Sequence, residues 1–122
     1  MQRNIIAVVD DLFFASKIRG TAEELGITVT FAGKLDVLVE AARRAQPSLI
    51  ICDLHSQKID PMELARGLRA DEQMRTIRLL GFFSHVQTEL QRQAEAAGFD
   101  KVLPRSAFSK NLGEILSGKK IV

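Results

Sequence analysis

The 122-residue sequence is 46% hydrophobic and 26% charged, ordinary proportions for a folded domain and far from those of a disordered chain. Seventeen Lys and Arg against fifteen Asp and Glu leave a net charge of +2, with the basic residues scattered rather than gathered into a stripe, which gives no footing to nucleic-acid binding. No apolar run approaches the roughly 20 residues of a membrane span, no signal-peptide pattern opens the chain, and the lone Cys52 cannot form an internal disulfide, so one cytoplasmic domain over 1–122 is the expectation.

The apolar run Ile5-Ile6-Ala7-Val8-Val9 predicts a buried strand that ends on two adjacent carboxylates, Asp10 and Asp11. Ala15, Ile18, Ala22 and Leu25 then recur at helical spacing over Leu12 to Leu25, with Gly26 placed as a C-cap. Ile27 to Phe31 alternates apolar and polar residues, as a strand at a sheet edge does. Leu35, Leu38, Val39 and Ala42 mark a second helix, stopped at Gln46-Pro47 because the residue before proline disfavours helical geometry.

Leu49-Ile50-Ile51-Cys52 predicts a third strand, ending on Asp53, with Cys52 a buried small hydrophobe rather than a reactive thiol. After a loop to Ile59, Asp60-Pro61-Met62-Glu63 combines a capping aspartate, proline at the first helical position and an acid at N3; the helix should run to about Glu72 with Leu64 and Leu68 inward. Ile77 to Phe83 is apolar almost throughout, a strand covered on both faces that ends at Ser84. Val86, Leu90, Ala94 and Ala97 form the inner face of a fourth helix closed by Gly98, and Lys101-Val102-Leu103 makes a short fifth strand before Pro104. A last helix, capped by Ser109, carries Leu112, Ile115 and Leu116.

Five strands alternating with five helices predict an α/β fold: an open, doubly wound parallel sheet with helices on both faces and its ligand crevice at the carboxyl ends of the strands. Asp10, Asp11, Asp53, Ser84 and Arg105 each follow a strand and so share that rim. Three carboxylates meeting at one sheet edge repel unless a cation sits among them, and all-oxygen ligation favours Mg2+ over Zn2+. A zinc site through His55 and His85 lacks helical His spacing and cysteine partners. Ser16, Ser56 and Ser106 have no base beside them in sequence, and the glycine motifs of dinucleotide and P-loop sites are missing.

Val8-Val9-Asp10-Asp11 after the first strand, Asp53 after the third with Asp60 following, Ser84 after the fourth, and Gly98-Phe99-Asp100 before the fifth together resemble the receiver domain of two-component response regulators, over essentially the whole chain. The resemblance implies a flavodoxin-like sheet in the order 2-1-3-4-5. It implies a phosphorelay module, not an enzyme, in which Asp53 is a phosphoacceptor served by a histidine kinase or phosphotransfer protein. Asp10, Asp11, Asp53 and the backbone carbonyl of His55 would hold Mg2+, and Ser84 would donate its hydroxyl to the phosphoryl group. A downstream protein would read the surface of the fourth helix, fifth strand and fifth helix, with room left for a homodimer, and no contact with nucleic acid or membrane.

The sequence departs from that family in several places. The lysine that should end the fifth strand is Arg105, which can clamp phosphoryl oxygens or lock Asp53 in a pair. The following proline is displaced to Pro104, so a cis bond there cannot be carried over. His85 replaces a small residue beside Ser84, and Val102 replaces the aromatic switch residue. Ser56-Gln57 replaces a Met-Pro pair and Pro61 a glycine, exchanges expected to restyle the loop without touching its ligands. These departures keep open a phosphorylation-independent pseudo-receiver that acts as an interaction module; a metal-dependent phosphohydrolase lacks a second nucleophile or an evident base beyond His85.

Overall fold

In the computed structural model, which describes residues 3–84 and 87–119, each apolar run becomes a strand of one parallel sheet. The strands are β1 (Asn4–Val8), β2 (Thr28–Phe31), β3 (Leu49–Asp53), β4 (Arg78–Phe83) and β5 (Lys101–Pro104), in the order β2-β1-β3-β4-β5. Between and after them run α1 (Leu12–Leu25), α2 (Leu35–Ala45), α3 (Pro61–Ala70), α4 (Thr88–Ala97), α5 (Arg105–Lys110) and α6 (Leu112–Leu116). The order reverses direction at β1, so the crevice between β1 and β3 is the switch point where such sheets bind ligands.

Period-two alternation sends β1 side chains to two cores. Ile5, Ala7 and Val9 pack with α1, α5 and α6, while Ile6 and Val8 pack with α2, α3 and α4. β2 is the edge, with Thr28 and Thr30 exposed and Val29 and Phe31 half-buried; Arg19 lies 4.7 Å over the Phe31 ring and covers it. Cys52 is fully buried, and burial pushes its thiol pKa up, so it behaves as the small hydrophobe its sequence setting suggests.

Local signals act as read. Asp60 accepts hydrogen bonds from the Met62 and Glu63 N–H groups at 3.0 and 3.3 Å, and Gly26 closes α1 at φ 69°. α3 ends at Ala70, slightly short of Glu72, because Asp71 turns extended and bonds the Gln73 N–H instead. The Leu103-Pro104 bond is trans, as no cis peptide occurs among the described residues.

The end of the chain corrects the reading. Ser109 caps nothing: it lies inside α5, which starts directly at Arg105 after the extended Pro104, and a break at Asn111 sets off α6, giving six helices among the described residues instead of five. Val86, expected on the inner face of α4, lies outside the described residues. Gly98 closes α4 at φ 128°, where a Cβ would meet Arg69 Cγ at 2.6 Å.

Candidate functional site

Parallel pairing of Val8 with Cys52 brings the ends of β1 and β3 level, so Asp10, Asp11 and Asp53 emerge on one rim. Their side chains then take different partners. Asp11 is the N-cap of α1: its Oδ1 accepts from the Phe13 and Phe14 N–H groups at 2.9 and 3.2 Å. Its Oδ2 accepts from Arg105 Nη2 at 3.0 Å, and the pair is about two-fifths exposed, with side-chain exposures of 40% for Asp11 and 35% for Arg105. The Arg105 hydrogen bond, more than the capping bonds, holds the Asp11 carboxyl below its usual range.

Asp10 turns toward the β3–α3 loop. Its Oδ1 accepts from Ser56 Oγ at 2.9 Å and its Oδ2 from the Gln57 N–H at 2.7 Å. Ser56 Oγ in turn accepts from the Lys58 and Ile59 N–H groups at 3.2 and 3.3 Å, which ties the loop together. The Ser56-Gln57 exchange thus does touch an acid of the site, contrary to expectation, because a hydroxyl and a free N–H stand where Met-Pro would offer neither.

Asp53 closes β3, is half-buried, and accepts the His55 N–H at 2.9 Å on Oδ1. Burial raises its pKa, and the Asp10 charge adds to this; the His55 N–H and the Arg105 charge pull the other way. A carboxyl whose folded pKa lies above its unfolded value opposes folding once ionised, so stability contributed at low pH is lost as pH rises through the folded pKa. Asp53→Asn is therefore expected to have a higher Tm than wild type at neutral pH, with the difference gone below about pH 4. Thermal melts across pH check this; an Asn variant less stable at neutral pH sinks it.

Arg105 is the first residue of α5, and its guanidinium lies 4.1 Å from the Phe14 ring centroid. Phe14 is buried, meeting Phe82 and Phe108 edge-on at 5.2 and 5.7 Å, so the cation rests on a packed aromatic base. Of the two alternatives left open for Arg105, pairing occurs, but with Asp11 and not Asp53. Ser84 is exposed and shares with Arg105 an open cleft of about 540 Å3, also lined by Phe13, Lys17 and Ser109. Phe13, beside the buried Phe14, is 90% exposed. The His55 Nε2 atom is buried and has no hydrogen-bond partner among the described residues; His85 lies outside them.

The donor set does not fit Mg2+ as arranged. Both oxygens of Asp10 and both of Asp11 are engaged by protein donors, and among the described residues no three His, Cys, Asp or Glu side chains form a metal-ligand group.

Sheet order, switch-point acids and helix placement define the receiver-domain fold. Solved structures similar to this chain include response regulators and receiver domains. A response regulator from Hahella chejuensis superposes with a TM-score of 0.85 at 19% identity, covering 99% of this chain and 97% of that one. The chemotaxis response regulator CheY4 of Vibrio cholerae gives 0.82 at 18% identity, covering 98% and 100%. The receiver domain of sensor histidine kinase PA1611 from Pseudomonas aeruginosa, described with a magnesium ion coordinated in its active-site cleft, gives 0.81 at 21% identity, covering 97% of each. No protein-family model and no curated protein matches the sequence. Among the described residues no helix is long and apolar enough to cross a membrane.

Proposed function

We propose that this chain is a signalling receiver module in which Asp53 accepts a phosphoryl group and the change is read by a partner protein. The observation that carries this is the state of Asp53: it stands at the switch point, half-buried, with Oδ1 fixed by the His55 N–H and Oδ2 accepting no hydrogen bond among the described residues. A free carboxylate oxygen on a rigid strand end is a positioned nucleophile. Oδ2 attacks phosphorus, the bond from phosphorus to the donor breaks, and the donor leaves with that electron pair, an imidazole taking up a proton and an acyl group departing as its carboxylate.

The donor in this reading is a phosphohistidine on a kinase or phosphotransfer protein, or a small acyl phosphate. Negative charge accumulates on the transferring oxygens and must be met by fixed positive groups. Arg105 is a cation this chain itself supplies on that rim, and the Ser84 hydroxyl and Lys17 share its cleft. The metal dependence implied by the family resemblance is not carried into this reading, because the acids do not fit an ion as they stand. The readout surface is that of α4, β5 and α5, and the module acts as a switch in the cytoplasm rather than as an enzyme.

Incubation of purified protein with a small acyl phosphate, followed by intact-mass measurement beside Asp53→Asn, tests the proposal. One phosphoryl adduct in wild type and none in the variant is expected. Absence of any adduct favours a second reading, a phosphorylation-independent interaction module, which the full engagement of Asp10 and Asp11 by protein donors supports.

A further inference from the structure

We infer that the Arg105 guanidinium is a tethered replacement for a divalent cation, so that the acid site of this domain is built to work without bound metal. Two contacts fix the charge in place, and a third fixes its partner. Arg105 Nη2 donates to Asp11 Oδ2 at 3.0 Å, the other Asp11 oxygen is spent on capping α1, and the guanidinium plane is backed by the Phe14 ring at 4.1 Å. Phe14 cannot yield easily, being 5% exposed and wedged against Phe82 and Phe108.

The fourth element lies across the crevice. Asp10, the other acid of the pair, is turned to Ser56 Oγ and the Gln57 N–H, which satisfy both its oxygens. A divalent ion at this rim would have to share the Asp10 and Asp11 oxygens with these protein donors, and it would meet the positive guanidinium there. A lysine ammonium has no planar face to lay on Phe14 while donating to Asp11, so this arrangement suits arginine.

The test reads metal binding on unphosphorylated protein and so stands apart from whether Asp53 accepts a phosphoryl group. The full chain, labelled with 15N, is titrated with MgCl2 at constant ionic strength, following the amides of Asp10, Asp11, Asp53 and His55, beside Arg105→Gln and the double variant Asp11→Asn/Arg105→Gln. Wild type is expected to bind Mg2+ at least roughly tenfold more weakly than Arg105→Gln, the scale of one neighbouring charge on a carboxylate site. The double variant is expected to lose the gain. Wild-type binding as tight as that of Arg105→Gln, or a folded Arg105→Gln that gains nothing, overturns the inference. Should Arg105→Gln not fold, Arg105→Lys takes its place: a smaller gain is expected, and none overturns the inference.

Discussion

Phe82→Ala is expected to cost about 3–5 kcal/mol of stability, a large share of the roughly 5–15 kcal/mol that holds a domain together. Phe82 is 1% exposed in β4, between Asp53 of β3 and Leu103 of β5 in register. Its ring stacks on Phe108 at 5.1 Å and 2°, and meets Phe14 edge-on at 5.2 Å and 65°. Truncation removes one of three mutually packed rings and leaves a void between the sheet, α1 and α5. At about 4 °C per kcal/mol for a chain of this size, Tm should fall by more than 10 °C. The damage should reach the site, because Phe14 then loses the support under the Arg105 guanidinium. Urea denaturation with an unchanged m-value measures the loss. Phe13→Ala, which removes an exposed ring one residue from Phe14, is the control and should stay within about 0.5 kcal/mol of wild type. A Phe82→Ala loss below about 1 kcal/mol would refute this account of the core.

The second large effect is expected at Arg69, which joins α3 to the turn before β4 and to the turn between α4 and β5. Its Nε donates to the Gly98 carbonyl at 2.9 Å, Nη1 to the Arg75 and Ile77 carbonyls at 2.7 and 2.8 Å, and Nη2 to Asp100 Oδ2 at 2.8 Å. Asp100 Oδ2 also accepts the Leu79 N–H at 2.8 Å, so this one carboxylate pins the start of β4. Arg69→Ala strands several acceptors at once. Unmade bonds of this kind cost about 1–3 kcal/mol each when buried, and the 25% side-chain exposure of Arg69 lets water repair part of the loss, so about 2–4 kcal/mol in all is expected. Arg69→Lys should recover less than half of this, since one ammonium cannot reach acceptors spread around a planar fork. Equal denaturation midpoints for Arg69→Lys and wild type would show that charge alone suffices.

Much of the frame was legible in the residues because it is written locally. Apolar runs ending on Asp10 and Asp53 set strands and rim together, and helix caps at Asp60 and Gly26 follow from conformational preferences of single residues. Asp11 could be read as a cap or as a site acid, and the structure makes it a cap that also pairs with Arg105. The partner choices were not legible, since Arg105 finds Asp11 across 94 positions and Ser56 finds Asp10 across 46, separations over which sequence pattern carries no information on side-chain direction. The Ser109 cap failed for the opposite reason. A good capping residue was present, but Pro104, fixed at φ −61° and extended at ψ 146°, had already led the chain into the helix without a side-chain cap. Arg69 carried no motif at all; only its place one helix away from Gly98 and Asp100 in the folded chain makes it central.

The left-handed glycine at the end of α4 has a consequence for how this sequence can drift over generations. Any Cβ at position 98 lands on the Arg69 stem, 2.6 Å from Cγ, at a backbone angle that L-residues rarely tolerate. Gly98 lends its carbonyl to Arg69 and, by having no side chain, the space the arginine passes through. Positions 69 and 98 therefore form one unit of variation: a lineage that acquires a side chain at 98 must give up the arginine at 69, and with it the clasp on Asp100.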